Sequence, residues 1–336
     1  MSAKSASDRP AGSESATVGR RNLADWFERF ALVLVWAATI AVFGALRPES
    51  FLTWSNFSTI LGSQAVIVII TLGLIIPLTA GDYDLSIASC LTLAGTVLAV
   101  LNVRHGVSIL GATLAALAVG AAVGFANGFF VIYFRINSLI VTLGIGTFIH
   151  GNTLWLGDQQ TISGVSEDLV SAVIVTRLLD VPLGFYYALA LCTAIWYVFS
   201  YTALGRRLLF VGRGREVSRL SGIRVDRIRW GCLVVSGAIG GVAGVIYVGT
   251  TAAADPSSGL TFLLPAFAAA FLGATSVNPG RFNPWGAMIS VYFLVTGITG
   301  LSILGVSTFV QDLFYGGALV IAVMLSQLVR GREERM

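Results

Sequence analysis

Apolar residues occur along this chain in long runs separated by short polar segments. A helix needs roughly 20 apolar residues to cross a hydrocarbon core about 30 Å thick. Ten runs approach that length, at residues 30–46, 59–79, 86–102, 108–134, 138–156, 183–200, 231–250, 262–277, 285–300 and 308–329. The pattern predicts an all-α integral membrane protein with about ten transmembrane helices, some of them broken.

Composition supports the same class. Hydrophobic residues make up 56% of the 336 residues and charged residues 11%, with a mean hydropathy of +0.84. Ordinary soluble domains carry roughly 25% charged residues. So few charges cannot cover the surface of a water-soluble protein, and the ten runs leave no room for a sizeable soluble domain.

The chain divides into one long apolar domain between two short polar ends. Residues 1–22 are rich in Ser, Ala and Arg and are expected to form a disordered tail. The first apolar run follows Arg20, Arg21 and Arg29 but contains no Ala-x-Ala cleavage site, so it is interpreted as an uncleaved span. Residues 23–330 form a single transmembrane domain that includes a polar loop at 201–229, and residues 331–336 form a second tail.

The distribution of Lys and Arg predicts the orientation. With the amino terminus in the cytoplasm, eighteen of these residues fall in cytoplasmic segments and only Arg47, Arg104 and Arg177 fall outside. Cytoplasmic loops carry the excess of positive charge in membrane proteins. Both tails and the 201–229 loop are therefore expected in the cytoplasm, and the net charge of +4 needs no nucleic acid to explain it.

Two carboxylates interrupt the apolar sequence between the second and third runs, in Gly81-Asp82-Tyr83-Asp84-Leu85-Ser86. Each costs roughly 2.5 to 3.5 kcal/mol at membrane depth, so such residues face protein or a water-filled cavity. Asp84 and Ser86 either cap the next helix or line a translocation route. A secondary transporter that uses Asp82 and Asp84 to couple ion movement is an alternative function.

The 201–229 loop contains eight Arg residues, which the positive-inside rule alone would explain. Residues 215–221 additionally fit a short helix with Val217, Leu220 and Ile223 on one side and Gly222 at its end. A small apolar face with a charged rim suits docking into a cleft of a soluble partner. Binding to the membrane surface is the alternative.

Two other segments combine Gly and Asn within apolar sequence, at 124–128 with 135–138, and at 273–286. Broken helices at membrane depth are tolerated where they are buried or line a cavity, and transporters use them often. The second segment is equally compatible with an ordinary cytoplasmic turn.

The chain carries no set of residues typical of catalysis. Its only lysine is Lys4, so a GxxxxGK[ST] phosphate loop is excluded and any ATP must be hydrolysed by another polypeptide. The three Cys have no CxxC spacing, and the two His, His105 and His150, stand apart from them. No catalytic site, metal site or cofactor of its own is expected.

Five segments resemble the permease subunits of bacterial ABC importers for monosaccharides, the family of ribose and xylose uptake systems. Asp84-Leu85-Ser86-Ile87 is similar to the GGxDLS(V/I)G signature, and Ser138–Gly144 with the preceding Asn127-Gly128 to the SFIVTLG segment and its NG pair. Glu216–Ile223 resembles the EAARLSGI coupling loop, Gly273–Ser276 the GGTS segment, and Leu304–Gln311 the closing span. The sequence departs at Asp82, where a Gly is usual, and at Asn137, His150 and Ser218.

The resemblance implies a multi-pass permease of the bacterial cytoplasmic membrane that works with a second, identical or different, permease subunit. It implies an ABC ATPase subunit that uses ATP and Mg, and a periplasmic or lipid-anchored sugar-binding protein. The residues assigned to ATPase coupling are Arg215, Glu216, Ser218, Arg219, Leu220 and Gly222. The candidates for lining the translocation pathway are Asp84, Ser86, Asn127, Thr142 and Asn152.

Overall fold

The computed structural model describes residues 12–307 and 309–333, and it is built almost entirely of helices. They are α1 (Gly12–Leu46), α2 (Pro48–Phe51), α3 (Trp54–Ser63), α4 (Ala65–Thr79), α5 (Ile87–Ala99), α6 (Ile109–Tyr133), α7 (Ser138–Leu156), α8 (Glu167–Val170), α9 (Leu183–Tyr201), α10 (Ala203–Arg213), α11 (Arg215–Leu220), α12 (Val225–Thr251), α13 (Leu260–Gly273), α14 (Pro284–Ile303) and α15 (Phe309–Glu333). Single π-helical turns follow α5 and α8, at Val100–Arg104 and Ser171–Val175.

Two small antiparallel strand pairs complete the secondary structure. Strand β1 (Ile162–Ser163) pairs with β4 (Ala253–Ala254), with Ile162 opposite Ala254. Strand β2 (Arg177–Leu178) pairs with β3 (Val181–Pro182), with Arg177 opposite Pro182. The strands lie in connections between helices, so they do not alter the all-α class.

Each of the ten apolar runs coincides with a helix, but the count of ten spans is not confirmed. Seven described helices are long and apolar enough to cross a bilayer, or eight if α3 and α4, bent by 43° at Gln64, form one span. Helix α13, with 14 residues, and the apolar Phe309–Met324 part of α15 are shorter. At 1.5 Å per residue, α13 extends only about 21 Å.

The predicted polar ends are only partly described. Residues 1–11 and 334–336 lie outside the described residues, whereas residues 12–22 belong to α1. The cytoplasmic location of both ends therefore stays a prediction.

The core is centred on α4 and α12. All fifteen residues of α4 are buried, as their uninterrupted apolar character requires. Helix α12 packs against α4, α5 and α6. Its approach to α6 is close because glycines face each other: a Cβ atom at Gly120 would lie 2.6 Å from the Gly237 carbonyl oxygen. Small residues at such interfaces are characteristic of packed membrane helices.

The predicted break at 124–128 is wrong, since these residues continue α6 without interruption, whereas the accompanying 135–138 segment lies between the end of α6 at Tyr133 and the start of α7 at Ser138. Gly124 and Gly128 are explained by packing, because Cβ atoms there would collide with α12 and with the Trp230 ring. The helices are interrupted at 273–286 as predicted: α13 ends at Gly273 and α14 begins at Pro284, with the Asn283 side chain capping its first turn. Both a broken span and an ordinary turn fit these bounds.

A third interruption positions the candidate site. Helix α4 ends at Thr79 and α5 begins at Ile87, and Gly81 between them has a φ of +78°. Glycine adopts this left-handed conformation without steric cost. The turn directs residues 82–86, called here the 82–86 segment, into the space between α6, α7, α11 and α12.

Candidate functional site

Asp82 forms a buried ion pair with two arginines. Its side chain is 1% exposed. Arg229 of α12 donates from Nε to Asp82 Oδ2 and from Nη2 to Oδ1, both at 2.7 Å, and Arg215 Nη2 donates to Oδ1 at 3.1 Å. The two bonds from Arg229 form the bidentate geometry that makes Arg–carboxylate pairs strong. The carboxylate that departs from the family signature is therefore neutralised by protein.

Arg215 also joins α11 to the backbone before the 82–86 segment. It is the first residue of α11, and its Nη2 donates to the Gly81 carbonyl oxygen at 2.7 Å. At the other end of α11, Gly222 has a φ of +80° and its N–H donates to the Arg219 carbonyl oxygen. The predicted short helix ending near Gly222 is thus present, and its first residue contacts the interior of the bundle.

The outer side of α11 is apolar and exposed. Val217 is 68% and Leu220 89% exposed, whereas Ser218 on the inner side is buried. Arg219 pairs with Glu216 at 3.3 Å and with Asp226 at 3.2 Å on the surface. Ile223 does not share the exposed side, because it is partly buried against the core. The predicted apolar face therefore consists of Val217 and Leu220.

Asp84 belongs to a second, separate buried network. Its Oδ1 accepts hydrogen bonds from Ser86 N at 3.0 Å and Ser86 Oγ at 2.6 Å, and its Oδ2 accepts one from Ser236 Oγ at 2.6 Å. Asn127 Nδ2 of α6 donates to Ser86 Oγ at 2.7 Å. The network links the 82–86 segment to α6 and α12. The predicted cap is present only in part: Asp84 Oδ1 accepts from the Ser86 backbone N–H at the start of α5, whereas the Ser86 side chain makes no capping hydrogen bond.

One acceptor in this network has no hydrogen-bond partner among the described residues. Asn127 Oδ1 is buried and unpaired, although the amide nitrogen of the same side chain is bonded. Buried polar atoms are normally paired with protein or with water. Asp84, unlike Asp82, is held by hydroxyl and amide donors and forms no ion pair in the described part of the chain.

Helix α7 also contacts the 82–86 segment, through two side-chain hydroxyl groups. Ser138 Oγ accepts a hydrogen bond from Tyr83 N at 3.1 Å, and Thr142 Oγ1 accepts one from Leu85 N at 3.0 Å. Thr142 thus satisfies backbone groups. Asn152 does not join the cluster: it lies ten residues further along α7, about 15 Å away, and its amide donates to the Phe148 carbonyl oxygen.

Three members of the site were not singled out from the sequence. In the sequence, the positive-inside rule explains Arg229, Ser236 is a lone hydroxyl in an apolar run, and Ser138 stands out only as part of a segment shared with the family. Ser236 and Arg229 are seven residues apart and therefore lie on one side of α12. Two polar residues spaced seven apart in an otherwise apolar helix are the sequence signal that could have identified Arg229 and Ser236 as members of the site.

A polar cleft of about 550 Å³ opens beside the Asp82 ion pair. Its walls come from the 82–86 segment, the α6–α7 connection, α11 and the start of α12. Charged groups dominate, namely Asp82, Arg135, Arg215, Glu216, Arg219, Asp226 and Arg229. The cleft is charged and opens next to α11, whereas the Asp84 network is enclosed by neutral donors. The two carboxylates of the 82–86 segment thus have different surroundings.

The chain is similar to a family of transport permeases and to permeases named for individual sugars. The profile of the family described as branched-chain amino acid transport system, permease component, matches residues 56–323. The D-allose transport system permease protein AlsC of Escherichia coli K12 is 30% identical, over 92% of this chain and 94% of that protein. The ribose import permease protein RbsC of Escherichia coli K12 is 31% identical, over 89% and 94%.

A third relative is named for another sugar. The L-arabinose ABC transporter permease protein AraH of Azospirillum brasilense is 30% identical, over 92% of this chain and 90% of that protein. No solved structure matches the chain. The profile, the permease relatives and the membrane-length helices agree that this is a multi-pass protein of the bacterial cytoplasmic membrane. The chain belongs to the permease-component family of ABC transporters, among its sugar permeases.

Proposed function

We propose that this chain forms the translocation pathway for a monosaccharide in an ABC importer, with ATP hydrolysed by a separate subunit that docks on α11. One observation carries the proposal: Arg215, the first residue of the exposed helix α11, donates to Gly81 and Asp82 at the start of the 82–86 segment. A movement imposed on α11 from outside thereby acts directly on the connection between α4 and α5.

The exposed side of α11 is the contact for the ATPase. Val217 and Leu220 present apolar side chains to solvent, and Glu216 and Arg219 form a charged rim around them. Exposed apolar residues flanked by polar ones mark contact sites for other proteins. Arg215 and Ser218 face the permease itself, and Gly222 permits the turn that leads from α11 into α12.

The sugar passes beside the 82–86 segment. Asp84, Ser86 and Asn127 supply hydroxyl, amide and carboxylate oxygens of the kind that hydrogen-bond a neutral polyol. These side chains are bonded to one another in the present conformation, so we expect them to reach the pathway only when α5, α6 and α12 shift during alternating access. Thr142 and Asn152 extend the candidate lining along α7.

A complete importer contains further subunits. A second permease chain, identical or different, closes the pathway, and a periplasmic or lipid-anchored sugar-binding protein delivers the sugar. Both termini and the 201–229 loop lie in the cytoplasm, where they meet the ATPase and its ATP and Mg. Ten spans are consistent with this arrangement, with α13 and the Phe309–Met324 part of α15 as the short ones.

The test is uptake in liposomes that contain this chain, its ATPase and its sugar-binding protein. Labelled D-allose, D-ribose and L-arabinose should be tried, because permeases for these sugars are similar to the chain. We expect uptake only with all subunits and ATP. Accumulation by the chain alone, abolished by an ionophore, would establish the secondary transporter that uses Asp82 and Asp84 and would refute the proposal.

Docking is tested separately by co-purification of the ATPase. L220D places a charge at the centre of the exposed apolar side and should abolish co-purification. L179D is the matched control, since Leu179 is 79% exposed but lies in the β2–β3 turn. Replacing Glu216 and Arg219 together should weaken the complex as well. Retention of the ATPase by L220D and by the double variant would show that α11 is not the docking site.

A further inference from the structure

A second cavity, of about 900 Å³, shares no lining residue with the polar cleft and lies where α4 and α9 end and α12 begins. Its walls are mostly apolar and come from four helices. They include Ile76 of α4, Ile195 and Val198 of α9, Leu208 of α10, and Ile228 and Val235 of α12. This cavity is called the arginine-rimmed pocket.

Three exposed arginines, Arg207, Arg224 and Arg227, lie on its rim. In the described part of the chain none of the three forms an ion pair, whereas Arg215, Arg219 and Arg229 of the same loop region all do. Three guanidinium groups around an apolar cavity suit an anion that has an apolar body. A guanidinium binds phosphate oxygens through its paired N–H groups.

The position of the pocket identifies the source of such a ligand. Much of the apolar wall belongs to α9 and α12, which are long enough to cross a membrane, while Leu208 belongs to the short helix α10. The arginines lie in or next to the loop between α9 and α12. Basic pockets between transmembrane helices on the cytoplasmic side bind anionic lipid head groups. A free sugar has no apolar portion that would fill these walls. The exposed residues of α11, Val217 and Leu220, do not line the pocket.

We propose that the arginine-rimmed pocket binds one anionic glycerophospholipid, with an acyl chain against the apolar walls and the phosphate between Arg207, Arg224 and Arg227. That the lipid comes from the cytoplasmic leaflet rests on the orientation given under Proposed function. The binding itself requires only the pocket and its charges.

The lipid would touch the segment that connects α11 to α12. Ser221 and Gly222, which end α11, also line the pocket. Occupancy therefore stabilises the position of α11 relative to α9 and α12. The stability of the α11 position therefore depends on the anionic lipid content of the bilayer.

The test is native mass spectrometry of the purified full chain in detergent, titrated with phosphatidylglycerol or phosphatidylcholine. We expect one tightly bound phosphatidylglycerol and weaker phosphatidylcholine. R207Q/R227Q should weaken phosphatidylglycerol binding roughly thirtyfold, because each arginine near the head group adds to the attraction. R206Q/R281Q removes the same charge from positions that do not line the pocket and should bind like the wild type.

A second variant separates the cavity from its charges. A194W introduces an indole at the pocket wall and keeps all arginines, and it should also lose the bound lipid. Equal binding of both lipids, equal loss in the two double variants, or full binding by A194W would overturn the proposal. The proposal would also be overturned if the wild type bound no lipid and R207Q/R227Q weakened association with the ATPase or with the second permease. The pocket would then be a protein contact. None of these measurements depends on transport.

Discussion

Arg215 Nη2 donates to two acceptors of the α4–α5 connection, the Asp82 carboxylate at 3.1 Å and the Gly81 carbonyl oxygen at 2.7 Å. The residues are more than 130 positions apart in the chain. Asp82 is simultaneously held by Arg229 of α12. One carboxylate thus joins a surface helix, a central helix and the connection that begins α5.

Removing the Asp82 charge should destabilise the protein strongly. D82N leaves the partly buried Arg229 guanidinium without its countercharge, and breaking a buried pair in this way costs about 3–5 kcal/mol. The Arg104–Asp158 pair, at 2.7 Å on the surface, is the matched control. D158N should cost at most about 1 kcal/mol. Thermal unfolding in detergent compares the two, and equal midpoints would contradict a structural role for the Asp82 pair.

Arg215 should affect coupling more than assembly. R215Q breaks the link between α11 and Gly81 while leaving Val217 and Leu220 unchanged, so the ATPase should still co-purify. Substitutions along such connections change coupling roughly threefold to thirtyfold. We expect sugar uptake per ATP hydrolysed to fall in that range. R206Q alters an arginine outside the link, and a similar fall in that variant would show a general effect of charge.

The helices could be predicted from sequence because apolar runs at membrane length leave few alternatives. The break at 124–128 could not be judged, since a glycine that permits close packing and a glycine that interrupts a helix look the same in sequence. The count of ten spans is not confirmed, because α13 is shorter than the apolar run around it. Resemblance to a family located the 82–86 segment and α11, but not the bond between them.

The residues that contact Asp82 and Asp84 could not be predicted from the sequence either. Arg229 and Ser236 both lie on α12, about 150 residues after Asp82 and Asp84. Only the fold shows that Asp82 meets guanidinium groups and Asp84 meets hydroxyl groups. The sequence alone suggests that Asp82 and Asp84 are a pair of equivalent ion-coupling groups. The fold shows that the two carboxylates have different surroundings.

The Asp84 network should depend on its hydroxyl donors. S236A removes the donor to Asp84 Oδ2, leaving a buried carboxylate oxygen unsatisfied at a cost of about 1–3 kcal/mol. Ser290 is equally buried but bonds only the Gly286 carbonyl oxygen of its own helix. S290A should therefore change the unfolding midpoint less than S236A. The reverse order would remove the reason for treating the Asp84 network as a structural link between α5 and α12.

The close contact between Gly120 of α6 and Gly237 of α12 should not tolerate an added methyl group. G120A places a Cβ atom 2.6 Å from the Gly237 carbonyl oxygen, and two backbones cannot move apart without losing their other contacts. We expect a lower unfolding midpoint and loss of uptake, because α12 carries both Arg229 and Ser236. Gly144 of α7 has no atom within 4 Å of the equivalent position, so G144A should leave the unfolding midpoint unchanged or raise it slightly. If G120A unfolds at the same temperature as G144A, the α6–α12 interface tolerates separation of the two helices. Close packing of α6 and α12 would then not be what positions the Asp82 and Asp84 networks.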